Sequence, residues 1–560
     1  VGLEIAARSS PNAAGKRAAR HRRARSGKQW ETSMAVERRD ILLGSLTLAA
    51  GGALHAPAVL AQRAGRTMLL AAPGAPEGFD GDALRPGTQE AVVQVYEGLT
   101  RYGRVIRNGR PYLNPDVIEG HLAESWTNSP DGKIWVFKLR QGVRSFFGNE
   151  MTAADVEWGW AKSFAQRRTG AFIATVSNVT AVRAISRYEV EFTLSAPSLI
   201  LLSALTLYLP GVYDTAEVKK HATSEDPWAL KWMETNTAGF GAYHLESVRA
   251  GEQAVFVANP NYFREPPHFT RVVYRAVPSA ASRITLLRSG QVQWIHRPFL
   301  QQVAELRSDR RVKTQDSFGR TISSVRMNLR FPPFDNKLVR QAFNYAVDKP
   351  ALIQGVFFGL AEQARSIIPP IVAGYDPSAF NYDFDQAKAR ALLAQANFNF
   401  DQTVEILYSQ IFNWEEPLSI QVAAQLQAVG VKARAVRISD SDMRARGAPA
   451  RQDMPMFSFE DGPIVLDPVY STFLLAHSQG VSNRARFADP RMDALIDEAR
   501  QSLDVAHRNA LMRQAQALWM EEAPWIVTVY PSVWEASAAN ISGWCPYPDD
   551  HERWYDLRVD

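Results

Sequence analysis

Leu418, Val422, Leu426 and Val429 recur at helical spacing, Gly430 follows where a helix needs a left-handed residue, and residues 431–438 then alternate like a strand. A change of hydrophobic period from 3.6 to 2 across one glycine commits the chain to helices packed on a sheet. Other stretches repeat the alternation. Residues 134–139 are rich in β-formers behind an Asp131-Gly132 turn, and Thr152 and Asp155 form a capping-box pair ahead of a helix through Trp160 and Phe164. Asp335 is placed to cap a helix whose Leu338, Val339, Ala342, Phe343, Ala346 and Val347 share one face. Met492, Leu495, Ile496 and Ala499 form a similar stripe behind Asp489 and Pro490. The pattern is α/β, and 560 residues leave room for about three to four domains.

Charge restricts the partners. The chain carries 63 Lys and Arg against 58 Asp and Glu, a formal +5. Residues 1–61 hold ten of the basic groups and four acids, so the other 499 residues sum to −1. A basic balance confined to a leader predicts no nucleic-acid partner. Within the leader, Arg38 and Arg39 precede a mildly apolar run at 41–54, and Val59-Leu60-Ala61 offers a cleavage site before Gln62. This order resembles a twin-arginine export signal over residues 34–61, with 1–33 expected to be a non-native or disordered extension. The expected destination is the periplasm. Cys545 is the only cysteine, so neither an internal disulfide nor a lipid anchor is expected, and residues 199–209 are apolar but too short to cross a bilayer.

Signatures of catalysis are absent. No two of the ten His stand four apart, no Ser has Gly on both sides at two residues, and no Gly-Lys precedes Ser or Thr. The adjacent acids Glu415-Glu416 and Asp549-Asp550 read as solvated surface. Neither an enzyme nor a cofactor is expected.

Four segments carry a resemblance. They are Val95-Tyr96-Glu97-Gly98-Leu99 with His121 to Trp126 and Arg140 to Arg144; Gly239-Phe240-Gly241-Ala242-Tyr243 with Asn259-Pro260-Asn261-Tyr262; Met327-Asn328 with Pro333 to Asp335 and Val339 to Asp348; and Asp493 to Ala499 with Ala523-Pro524-Trp525. In this order they resemble the extracytoplasmic solute-binding proteins, family 5, of peptide/nickel-type ABC transporters. The resemblance implies an α/β, two-lobed periplasmic-binding-protein fold with an extra subdomain in the first lobe and a hinge between lobes. It places the first lobe at 62–96, 231–304 and 524–560, the inserted subdomain at 97–230 and the second lobe at 305–523.

The implied protein is a monomer that captures a peptide or other small molecule and delivers it to ABC permease subunits with their ATPase. An oligosaccharide carrier and a secreted hydrolase are the alternatives. By the same resemblance, ligand-loop residues fall at Phe459, Glu460 and Asp461, at Asn413 and Trp414, and at Phe79 and Asp80. Asp461 or Glu460 would pair with a ligand cation. Asp461-Gly462-Pro463 reads equally as a plain turn, and core packing competes with stacking for Trp414. Residues 408–414 contain no Arg or Lys to clamp a peptide carboxylate, and no His lies in these segments, so no metal is expected. As a ligand contact alone, Asp461→Ala would leave the melting temperature of the unliganded protein unchanged.

Overall fold

The helix expected around Leu418 runs from Glu415 to Gln427 with Leu418, Val422 and Leu426 fully buried. Gly430 takes φ 97° before the strand Lys432–Arg437, a left-handed conformation that a side chain would strain. The computed structural model describes residues 66–83, 87–107, 109–317, 319–378 and 382–560, and the expected extension and export signal at 1–61 lie outside the described residues. Ile134–Leu139 is a strand, and Thr152 heads the helix Ala153–Gln166 in a capping box in which its N–H donates to Asp155 Oδ2 at 2.7 Å.

One cap differs from expectation. Asn336 rather than Asp335 caps the helix Lys337–Ala346, its side chain accepting from Leu338 N at 2.9 Å. Asp335 sits inside a turn closed by Asn336 N donating to Pro333 O, which delays the helix by one residue. Val347, expected on the helical stripe, is buried just beyond its end.

The strands form three main sheets. A seven-stranded sheet runs Val312–Ser317, Val533–Ala538, Trp294–His296, Thr67–Ala72, Arg271–Ala276, Gln253–Ala258, Tyr243–Arg249. A six-stranded sheet runs Ala361–Gln363, Trp525–Pro531, Ile322–Met327, Met456–Asp461, Thr403–Tyr408, Lys432–Arg437. Strands from 123 to 194 make a four-stranded antiparallel sheet against the helix Ala153–Gln166. The chain therefore builds two α/β lobes, one carrying an inserted subdomain.

The chain crosses between the two large sheets twice, at 317–322 and at 531–533. The expected crossings at 304/305 and 523/524 are displaced because ladder pairing puts Val312–Ser317 beside Val533–Ala538 and Trp525–Pro531 beside Ile322–Met327. The apolar stretch at 199–209 is core, with Leu201 fully buried, and no helix among the described residues is long and apolar enough to cross a membrane.

Candidate functional site

Period-two alternation decides which acids can meet at the hinge-side end of the six-stranded sheet. Ile322 lies opposite Asp461, Ser324 opposite Phe459 and Arg326 opposite Phe457, so these six residues share one face. Met456, Ser458 and Glu460 turn to the other face, where Ser419 of the helix Glu415–Gln427 donates to Ser458 Oγ at 2.9 Å. Phe459 and Asp461 thus belong together and Glu460 does not. Gly462 then lets the end of this strand approach the first crossing segment, since a Cβ there would meet Arg320 O at 2.8 Å.

Asp461 is not a free anion. Arg326 Nη1 donates to its Oδ2 at 2.8 Å and Arg484 Nη1 to the same oxygen at 2.6 Å. Both guanidiniums also face the Phe459 ring, at 5.3 and 4.5 Å from its centroid, and Arg326 lies 4.1 Å over Trp525. The Arg326 side chain is fully buried while Arg484 and Asp461 keep 20% and 18% exposure, so solvent reaches the cluster from the Arg484 side. Burial pulls the Arg326 guanidinium down to about 10 against the opposing pull of Asp461, leaving it charged at neutral pH. Its Nη2 has no hydrogen-bond partner among the described residues. Two guanidiniums against one carboxylate leave one positive charge.

Glu460 is buried, and burial pushes its carboxyl up to about 7, with Asp550 adding to the rise and Thr321, Arg320 and Trp414 countering it. Trp414 is 5% exposed and stacks on Phe412 at 5.5 Å, which in turn meets Phe459 edge-on, while Asn413 is exposed. Phe79 and Asp80 lie elsewhere. Phe79 is buried against Phe256, and Asp80 takes Lys162 Nζ at 2.5 Å and Tyr213 Oη at 2.6 Å, which occupies it as the counter-ion of a fully buried lysine.

The adjacent acids expected on the surface are mostly inside. Glu415 is buried and hydrogen-bonded by Ser409 at 2.7 Å, Asp549 is held by Arg553, and Asp550 forms an ion pair with Arg320 across the hinge. Each faces a partner that its neighbour in sequence does not, so adjacency misleads. Glu416 matches the expectation better, being half-buried with Tyr408 Oη donating to it at 3.0 Å. Two further contacts join the inserted subdomain to the second lobe: Leu466 N donates to Tyr102 Oη at 2.9 Å, and Arg500 Nη2 to Asn178 Oδ1 at 3.0 Å. A cavity of about 90 Å³ lies apart from the hinge cluster, between the inserted subdomain and the C-terminal segment. Its Glu97 and His121 pair at 2.7 Å and its Arg104 pairs with Asp556.

Sequence reasoning missed Arg326 and Arg484. The available signal was Arg326 itself, an arginine inside a strand with no exposed residue, where a charge needs a partner.

Comparison with known proteins fits this architecture. The profile of bacterial extracellular solute-binding proteins, family 5 Middle, matches residues 117–483. Heme-binding protein A of Haemophilus influenzae is 25% identical over 87% of this chain and 91% of its own. The dipeptide-binding protein of Escherichia coli is 24% identical over 89% and 95%. Among solved structures, a periplasmic binding protein of Helicobacter pylori in complex with the peptide STSA superposes with TM-score 0.76 at 21% identity, covering 90% of this chain and 99% of that one. NikA of Brucella suis in complex with Fe(III)-EDTA superposes with TM-score 0.78 at 20% identity, covering 88% and 100%. These likenesses show the two-lobed periplasmic-binding fold. The profile match spans more than half the chain, and the protein is a member of the bacterial extracellular solute-binding proteins, family 5.

Proposed function

We propose that the chain is the exported substrate-binding component of an ABC importer, a monomer that closes its two lobes on a small peptide-like solute and presents the closed form to the permease. The lobes are those built on the seven- and six-stranded sheets, with 97–230 as the inserted subdomain. A ligand shifts the open/closed balance only by touching both sides of the hinge. The Arg320–Asp550 pair, which ties the first crossing segment to the C-terminal segment, lies beside that hinge.

The observation that carries the ligand reading is the pair of guanidiniums on Asp461. The cluster's net positive charge, open on the Arg484 side, suits a ligand carboxylate better than a ligand ammonium. The clamp that residues 408–414 lack is supplied from two distant parts of the chain. Asp461 then orients the guanidiniums, Phe459 forms the apolar floor between them, and Trp414 supports that floor through Phe412. The relatives named for heme and for dipeptides are binding proteins, which supports a carrier rather than a hydrolase.

The test is a thermal-shift screen on mature protein that has been unfolded and refolded to strip carried ligand. Acidic and zwitterionic peptides should raise the melting temperature saturably, by about 2.7 kcal/mol of added stability at a hundredfold excess over Kd. Arg484→Gln, which leaves the Arg326–Asp461 bond in place, should abolish the best hit's shift. A best ligand that is a neutral sugar would favour the oligosaccharide carrier, and turnover of any hit would refute the carrier reading.

A further inference from the structure

The segment between Asp461 and Asp467 is fastened at both ends within the second lobe. Arg326 and Arg484 hold Asp461, and Arg508 Nη2 donates to both oxygens of Asp467 at 3.0 and 2.8 Å. Asp467 in turn caps the helix Pro468–Ala476, accepting from Val469 N and Tyr470 N. Between these ends, the backbone of 463–466 has two hydrogen bonds among the described residues, and neither partner lies in the body of the second lobe. Arg320 Nη1, in the first crossing, donates to Pro463 O at 3.4 Å, and Leu466 N donates to Tyr102 Oη at 2.9 Å. Leu466 is buried, so its N–H needs a partner, and the one it has stands on the inserted subdomain.

Tyr102 is mounted rigidly. It lies near the start of the strand Thr100–Arg107, where Thr100 N donates to Leu205 O at 3.1 Å and Thr100 Oγ1 to Leu202 O at 2.8 Å. The ladder with Arg110–Gly120 carries a bulge between Tyr102 and Gly103, an irregularity that re-aims a side chain. Burial pushes the Tyr102 hydroxyl up to about 12, so it is a neutral phenol that can accept from Leu466.

A second contact reaches the same part of the second lobe by another route. Arg500 Nη2 donates to Asn178 Oδ1 at 3.0 Å, and its guanidinium lies 4.3 Å over Phe473, on the helix that Asp467 caps. Asn178 takes φ 62°, so a glycine there keeps the backbone while removing the acceptor. Leu503, three residues beyond Arg500, packs so near Gly132 that a Cβ there would lie 2.8 Å from Leu503 Cδ1. Opening the lobes separates Leu466 from Tyr102 and Arg500 from Asn178 together.

We propose that Tyr102 is a positioning residue for the ligand site: its hydroxyl holds the 463–466 segment only when the lobes are closed, which makes the inserted subdomain a latch on closure. This deepens the carrier reading and rests on it for its purpose. A latch that stabilises the closed form raises the binding-competent fraction, and the apparent affinity for any ligand of that form changes by the same factor. One hydrogen bond of this kind, net of water, is worth roughly two- to tenfold in that balance.

Pulsed EPR on unliganded mature protein tests this, with spin labels at Ser186→Cys on the inserted subdomain and Gln395→Cys on the second lobe, both exposed, and with Cys545→Ala. The wild type should show a short-distance population. Tyr102→Phe, which keeps the ring, should lower the ratio of that population to the longer-distance one by roughly two- to tenfold. Hydrogen exchange read by mass spectrometry should become faster at Leu466 and stay unchanged in 134–139, a pattern that a general loss of stability does not give. Absence of a short-distance population in the wild type would overturn the proposal, as would unaltered distances in Tyr102→Phe even with faster exchange at Leu466. If Tyr102→Phe does not fold, Asn178→Gly is read by the same distance criterion. Neither measurement uses a ligand, so failure of the latch and failure of the ligand screen are separate results.

Discussion

Asp461→Ala is the perturbation with the clearest structural consequence. Arg326 and Arg484 reach the same carboxylate oxygen, at 2.8 and 2.6 Å, so their Nη1 atoms are no more than about 5.4 Å apart. Removing Asp461 leaves two like charges at that separation, a repulsion of roughly 3 kcal/mol at an effective dielectric of about 20. Breaking a buried pair on one side costs about 3–5 kcal/mol in general. Arg484 is one-fifth exposed and can turn toward water, whereas Arg326 is fully buried and cannot, so the lower end, about 3 kcal/mol, is expected.

A double mutant separates charge from packing. Arg326→Met with Asp461→Leu removes both buried charges, and its stability should lie within about 1 kcal/mol of wild type. Urea unfolding followed by tryptophan fluorescence is a suitable assay, because Trp525 lies under the Arg326 guanidinium. A loss below about 1 kcal/mol for Asp461→Ala, or an equal loss in the double mutant, would refute the assignment of a buried ion pair. The expectation that Asp461→Ala leaves the unliganded melting temperature unchanged is thereby replaced. Loss of ligand binding in that variant reports on the clamp's integrity as much as on contact, which is why Arg484→Gln is the better probe of ligand binding.

Two further outcomes follow from buried titratable groups. Glu460, lifted from 4.5 to about 7 by burial, binds its proton more tightly in the folded state. Its neutral form is compatible with folding below pH 4.5, and stability falls as pH rises through 7, by roughly 3 kcal/mol in total. Glu460→Gln should therefore stabilise the protein at pH 8 and do little at pH 4, and a pH-independent effect in urea melts would contradict the assignment. Asp80→Asn, which strips the carboxylate from the fully buried Lys162, should cost about 3–5 kcal/mol. Near-wild-type thermal stability in that variant would return Asp80 to the list of ligand residues.

What the sequence revealed and what it concealed divide along one physical line. Helices and strands announce themselves through local period, so the Leu418 stripe, the Gly430 stop and the Thr152 capping box appear in the structure within a residue or two of expectation. The single misplaced cap, Asn336 for Asp335, turns on a hydrogen bond three residues long. Side-chain pairings have no such local signal. Asp461 looks free in sequence because its two partners stand 135 and 23 residues away, and Asp80 looks free because Lys162 is 82 residues away. The lobe crossings moved for the same reason, since strand membership is settled by partners on the far side of a sheet. A family resemblance transfers the fold well, because the fold rests on period and burial shared along the whole chain. It does not carry side-chain partners: Arg326 inside a strand and Arg484 in a loop together turn the charge at Asp461 from negative to net positive, without disturbing any motif that carries the resemblance.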